Sequence, residues 1–153
     1  MTGMHRRRVV TGLTADGRSN VMIDGPVPPS TGPIKTAAVI WRTDEYPADN
    51  AGTGDAAVPY GLDLLHAPGS TFAICEFAPR SEAIMHATDT IDYLVILSGR
   101  VTLVLEAGEA QLAPGDLVVD RGVMHGWRNP HDEVCVAAVV NLPARPVGKG
   151  RTV

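Results

Sequence analysis

The sequence predicts an all-β fold, an antiparallel sandwich or barrel and most naturally a jelly roll. Three observations carry that reading. Of 153 residues, 37 are Val, Ile or Thr, the β-branched types that suit a pleated strand, while 16 Gly and 12 Pro supply turns. Helical periodicity is hard to find anywhere. From Ser70 onward, the runs TFAICEFA, EAIMHA, DYLVILSG, RVTLVLE, GEAQLAP, DLVVD, MHGWRN and VCVAAVVNL follow one another with short breaks. Gly99 and Gly108 separate three of them, and Pro114-Gly115-Asp116 makes another turn.

The first third is less regular. Val9-Val10 and residues 20–24 are expected as short strands, and the Pro- and Gly-rich stretch 25–33 breaks any element. Residues 35–42 (KTAAVIWR) return to strand character. Residues 44–69, rich in Asp, Ala, Gly and Pro, predict a long surface loop with at most one helical turn. Such a loop is expected near the barrel mouth, as a partly ordered cover with little share in the core. The organisation is therefore an irregular N-terminal arm and variable loop over 1–69, a barrel over 70–142 and a fraying tail over 143–153.

Composition narrows the function classes. A chain of this length buries roughly two-thirds of its unfolded surface in one domain. Net charge is −4, and the 11 Arg among 13 basic residues are spread out apart from Arg6-Arg7-Arg8, so no nucleic-acid patch is expected. No apolar run approaches the roughly 20 residues of a membrane span. The Arg cluster has no long apolar stretch behind it, which supports neither a signal peptide nor twin-arginine export, and a cytoplasmic location is expected. Cys75 and Cys135 each sit inside an apolar run, too few for a disulfide framework and too far apart for a zinc knuckle. They read as reduced core thiols.

Residues 86–129 resemble the two motifs of the cupin superfamily. The first motif, Gly, five residues, His-x-His, three or four residues, Glu, six residues, Gly, reads here as His86-Ala87-Thr88, Asp92 and Gly99. The second, a Pro-Gly-Asp turn, then Pro-x-Gly-x-x-His and an Asn four residues on, reads as Pro114-Gly115-Asp116, Asp120-Arg121-Gly122-Val123-Met124-His125 and Asn129. The match covers about a third of the chain and is similar to small single-domain cupins of bacteria and fungi. Three positions depart from the pattern. Thr88 replaces a His, Asp92 a Glu, and Asp120 a Pro, the last expected to affect only a turn.

The resemblance implies that His86, Thr88, Asp92 and His125 point into a barrel cavity. Two imidazoles and a carboxylate then make a facial triad for a divalent transition metal (Fe, Mn, Ni or Zn), with His86, Asp92 and His125 as ligands. Asp92 is one methylene shorter than Glu and reaches less far. In the metal-free alternative the same three residues are the catalytic acid/base set, since imidazoles titrate near neutrality and a His–Asp pair fixes a tautomer. Thr88, Trp127 and Glu76 are the substrate-binding candidates. The Thr88 hydroxyl would hold a metal-bound water or a substrate oxygen. Trp127, two residues after His125 on one strand face, either stacks on substrate or closes the barrel. Glu76 is either inward and functional or paired with Arg80 or Arg100. Tyr93 should face outward, and Met85 and Met124 should pack as core filler. His5, His66 and His131 read as surface residues, His66 at the cavity mouth.

Two functions follow from this reading. One is an enzyme performing a lyase, decarboxylase, isomerase or oxygenase step on a polyketide-like, aromatic or hydroxy-acid substrate. The other is a non-catalytic cupin that binds a small ligand. In either, edge strands and the N-terminal arm are expected to be covered in a homodimer.

Overall fold

In the computed structural model, which describes residues 6–153, the strand runs pair into a hairpin and two facing antiparallel sheets. His5 lies outside the described residues. Strands β1 (Arg7–Leu13) and β2 (Ser19–Pro26) form the hairpin. The larger sheet contains β3 (Ala37–Thr43), β4 (Ser70–Phe77), β5 (Thr90–Ser98), β8 (Leu117–Asp120) and β10 (Cys135–Pro143), in the order β3-β4-β10-β5-β8. The smaller contains β6 (Val101–Leu105), β7 (Gly108–Leu112) and β9 (His125–Arg128), in the order β7-β6-β9. This is the antiparallel jelly roll. Among the described residues, no helix is long and apolar enough to cross a membrane.

Alternation along each strand fills the space between the sheets. Ala73 of β4, Val139 of β10, Leu94 of β5 and Val118 of β8 stand opposite one another in register, and all belong to one buried cluster. Leu103, Leu112 and Trp127 close on that cluster from the smaller sheet. A second inward layer holds Ile96, Val101, Cys135 and Ala137. Gly99 makes the β5–β6 turn with φ +69°, and a Cβ there would stand 2.3 Å from the Val134 carbonyl oxygen, so glycine is required twice over. Cys75 and Cys135 are free thiols, pushed by burial up to about 12 and about 11, which keeps them protonated and inert.

Three expectations need correction. The segment 82–87 (EAIMHA) is not a strand. Within it only His86 bridges to β9, at His125, and the preceding Ser81 bridges to Asn129 just past β9. Ile84 and Met85 are exposed, so no apolar face pins the segment into a sheet, and Met85 is not core filler. Residue 70 is no boundary within the sheet, because β3 pairs with β4. Nor is the loop 44–69 a mere cover. Its single helical turn, α1 (Asp63–His66), is as expected, but Tyr60 is buried in the main cluster and Leu65 is buried beside it in sequence. An Asp-, Gly- and Pro-rich composition marks the loop as exposed, yet Tyr60 and Leu64 pack into the main cluster and Leu65 is buried too.

Candidate active site

One end of the interior is polar. At a single level of the larger sheet, Thr71 of β4 stands opposite Asn141 of β10, Asn141 opposite Asp92 of β5, and Asp92 opposite Asp120 of β8. Each is two residues from an apolar member of the main cluster, so each faces inward by alternation. Arg42 extends this row into β3. A bulge between Val39 and Trp41 shifts the register there, and the Arg42 guanidinium donates to Thr71 Oγ1 at 2.8 Å and to the Pro68 carbonyl at 2.9 Å.

His125 arrives from the smaller sheet. Its Nδ1 donates to the Val123 carbonyl at 2.7 Å, because a carbonyl can only accept. Its Nε2 stands 3.0 Å from Asp120 Oδ2, with the two side chains only 3% and 2% exposed. Burial works against charging the imidazole. The Asp120 carboxylate, the Val123 carbonyl and the Asp92 charge together outweigh it and raise the His125 pKa above the ordinary histidine value. Asp92 is shifted the same way for a different reason. Burial pushes its carboxyl up, Asn141 and Thr90 pull it down, and the Asp120 charge adds to the rise.

His86 lies beside His125, ring centroids 4.4 Å apart and tilted by 54°, with Nδ1 donating to the Ile84 carbonyl at 2.9 Å. Gly122 makes this closeness feasible. Its φ is +73°, and a Cβ would stand 2.2 Å from the Thr88 carbonyl oxygen, so only glycine lets the β8–β9 connection pass under the His86 segment. Asn129 is a turn residue: fully buried, it donates to the Phe77 and Glu133 carbonyls and accepts from the His131 amide.

The remaining candidates are dispersed. Thr88 is buried, but its hydroxyl is taken up by Thr90 Oγ1 at 2.8 Å. Trp127 packs against Phe77 at 5.1 Å and presents an edge to His125 at 6.0 Å, so it closes the barrel and is not a free stacking platform. Glu76 is buried on the wrong side. Its neighbours Cys75 and Phe77 pack inward, which puts Glu76 on the outer face with Ile74 and Val136. Neither suggested arginine reaches it, since Arg80 pairs with Asp132 and Arg100 with Glu133. Tyr93 faces outward. His66 Nε2, in α1, is buried without a partner, and α1 packs against β10. A depression of about 410 Å³ bordered by Arg42, Val58, Asp63 and Leu64 lies on the loop side and shares only Arg42 with the polar row.

A family model described as a cupin domain matches residues 73–141, which hold the polar row from Asp92 to Asn141 together with both histidines. The chain belongs to the cupin superfamily. This cupin is 36% identical over 115 residues to phomopsin biosynthesis cluster protein D of Diaporthe leptostromiformis, covering 70% of this chain and 60% of that one. It is 40% identical over 93 residues to phomopsin biosynthesis cluster protein C' of the same organism, covering 60% and 48%. With the cupin-domain-containing oxidoreductase srdB of Neurospora crassa it shares 33% over 97 residues, covering 62% and 50%. The chain thus spans about half to three-fifths of the length of these relatives.

The superfamily implies a metal, and the residues that would hold it here are His86, Asp92 and His125. Both histidines turn Nδ1 to a carbonyl, and Nε2 of His125 faces the Asp120 carboxyl at 3.0 Å. Among the described residues, no three His, Cys, Asp or Glu side chains converge on a point that would hold an ion. The residues that sequence reasoning missed are Asp120, Asn141, Arg42 and Tyr60. Asp120 carried a signal, being a carboxylate two residues after an inward valine, exactly where the motif has Pro. Asn141 carried a similar one, a lone amide on the inward period of VCVAAVVNL.

Proposed function

We propose that this cupin is an enzyme that moves a proton on a small organic molecule held in the polar end of the barrel. The step is of the lyase, decarboxylase or isomerase type, and the substrate a polyketide-like, aromatic or hydroxy acid. The observation that carries the reading is the juxtaposition of Asp92 and Asp120 on neighbouring strands, with His125 Nε2 3.0 Å from Asp120. Burial keeps Asp92 protonated to higher pH than an ordinary carboxyl, and its Oδ1 has no partner within the fold. Asp92 is therefore the proton donor. Asp120, 3.0 Å from His125 Nε2, is the neighbouring acceptor, and His125 positions it. The two neighbouring carboxyls then divide the acid and base roles. The names of the relatives, two biosynthesis cluster proteins and an oxidoreductase, support a role in small-molecule metabolism.

Deuterium exchange tests this without knowledge of the full reaction. In D2O, members of a panel of small keto and hydroxy acids should exchange a carbon-bound hydrogen faster with the protein than in buffer. Asp92→Asn should slow that exchange by about 10²-fold or more, as expected when a general acid is removed. Glu76→Gln, on the outer face, should leave it unchanged. Exchange no faster than buffer across the panel, or undiminished in Asp92→Asn, would overturn the proposal.

A homodimer belongs to the same proposal. Phe72, Tyr93 and Val119 form one exposed apolar row across the outer face of the larger sheet, with Leu117 and Leu97 beside it. The β1–β2 hairpin exposes Val9, Leu13 and Val21, and a two-stranded ribbon is marginal alone. One chain thus offers two apolar surfaces that a second copy covers together. Light scattering should give twice 16.1 kDa, and Val119→Lys should shift it to the monomer. A monomer at every concentration removes this part.

A further inference from the structure

The polar end is closed where the proposed chemistry needs it open. The Asp120 and His125 side chains are only 2% and 3% exposed, so a small molecule meets them after part of the fold has moved. The loop 44–69 is a poor candidate, because moving it would draw Tyr60 and Leu64 out of the main cluster. The C-terminal tail is a better one. Its Pro, Gly and charged residues predict fraying, but the structure pins it. The Thr152 amide donates to the Ala87 carbonyl at 2.9 Å, and the Ala87 amide donates to Thr152 Oγ1 at 2.9 Å. Asp89 holds both ends of the tail's turn. Its carbonyl accepts from the Ala144 amide at 2.9 Å, and its Oδ1 from the Arg151 amide at 2.8 Å. Gly150 lets the chain pass close over that carboxylate, for its φ is +86° and a Cβ there would stand 3.2 Å from Asp89 Oδ1.

Residues 86–89 thereby run between two neighbours. His86 exchanges both backbone bonds with His125, at 2.8 and 2.9 Å, and the Thr88 amide donates to the Gly122 carbonyl at 3.3 Å. Ala87 and Asp89 bond the other way, to the tail. Alternate residues serve opposite sides, as in a strand. Apolar burial is scarce on the tail side. No residue from 143 to 153 is buried, and in 82–89 only the small side chains of Ala87 and Thr88 are. Ile84 and Met85 are exposed. A segment held at the surface by a few backbone hydrogen bonds, with little apolar burial, opens well before core strands do.

We infer that residues 82–89 and the tail 144–152 form one flap at the His86–His125 end of the barrel, and that Asp89 is its latch. Closed, the flap sets the His86 ring against the His125 ring, centroids 4.4 Å apart. Open, it uncovers the face of His125 that His86 packs on. The inference rests on the reading that the polar end is the reactive site, and it names how that end is reached. Asp89 is a positioning residue and touches no substrate. The motion itself does not need turnover.

Two measurements on the full chain test this, and neither needs a substrate. In amide hydrogen exchange, His86, Ala87, His125, Arg151 and Thr152 should open together, about a hundredfold more often than amides of the central strand β10. Asp89→Ala should speed that group about tenfold, the effect of losing one hydrogen bond to a charged acceptor. Asp89→Asn keeps an acceptor oxygen and should restore most of the protection. Labelling by diethyl pyrocarbonate, read by mass spectrometry, should modify His125 far more slowly than His131 in the unaltered protein. Asp89→Ala should raise the His125 rate about tenfold relative to His131. If Asp89→Ala does not fold, Thr152→Pro removes both bonds to Ala87 and should act the same way, and the exchange order of the unaltered protein stands without either. Faster tail amides in Asp89→Ala, with the His86 and His125 amides and His125 labelling unchanged, would make the tail a separate appendage. Equal quickening of β10 would mark a general loss of stability, and His125 labelled as fast as His131 in the unaltered protein would mean that no flap closes. Each of these overturns the inference. A flap that opens as described, with no deuterium exchange on the keto- and hydroxy-acid panel, keeps this inference and ends the enzyme proposal. Exchange on that panel without coupled opening does the reverse.

Discussion

Asp120→Ala is expected to destabilise this cupin by about 3 kcal/mol or more at pH near 5, with the loss shrinking at pH near 8. In the native protein His125 and Asp120 are an ion pair out of water, and removing the carboxylate leaves a buried cation without its main partner. The pH dependence follows from the direction of the histidine shift. The folded His125 pKa is raised above its unfolded value, so its contribution is fully present below about pH 6.5 and is lost as pH rises through the folded midpoint. Without Asp120, burial has only the Val123 carbonyl and the Asp92 charge to oppose it, and the midpoint falls. At alkaline pH the imidazole can shed its proton, which removes the penalty and draws the two proteins together. Urea unfolding at both pH values reads the gap, and the His125 ring resonance reads the midpoint. A gap that is the same at both pH values, or a midpoint that does not fall, would show that the pair carries no linkage.

Tyr60→Ala should cost about 3–5 kcal/mol, the range for deleting a buried aromatic side chain. The prediction runs against the character of the surrounding loop. Tyr60 is 8% exposed and packs among Ala37, Val39, Ala73, Leu94, Val118 and Val139, whereas Tyr46 in the same loop is 62% exposed. Tyr46→Ala should therefore change stability by less than about 0.5 kcal/mol. Thermal and urea unfolding of the two variants make the comparison. Equal losses would place the 44–69 loop outside the core and return it to the role of a surface cover.

How far the sequence reaches is plain from four residues. Asp92 and His125 are legible because the strand alternation and the cupin resemblance agree on them, and both are inward. Tyr93 follows from Asp92 by the same period. Glu76 is not legible. Alternation sets it opposite Cys75 and Phe77, but which side of β4 is the interior depends on what covers the other side. Here the outer face is covered too, by Val27 packed on Ile74 and Val136, so a carboxylate among apolar neighbours is buried without reaching the site.

The chain by itself determined the strand runs other than 82–87, their turns, the all-β class and the two histidines, because each is written in residues close together in sequence. Periodicity is local physics: a pleat repeats every two residues and a turn needs its glycine within a few positions. Only the tertiary structure decided that Asp120 meets His125 and not merely a turn, that Asn141, Asp92 and Asp120 share one level, and that Tyr60 leaves its loop for the core. Those facts depend on register between strands up to 70 residues apart in the chain, Asn141 against Thr71 among them, and on a bulge in β3 that no single strand announces. Register is fixed by the packing of whole sheets, and a slip of one residue would turn every one of these side chains to the other face.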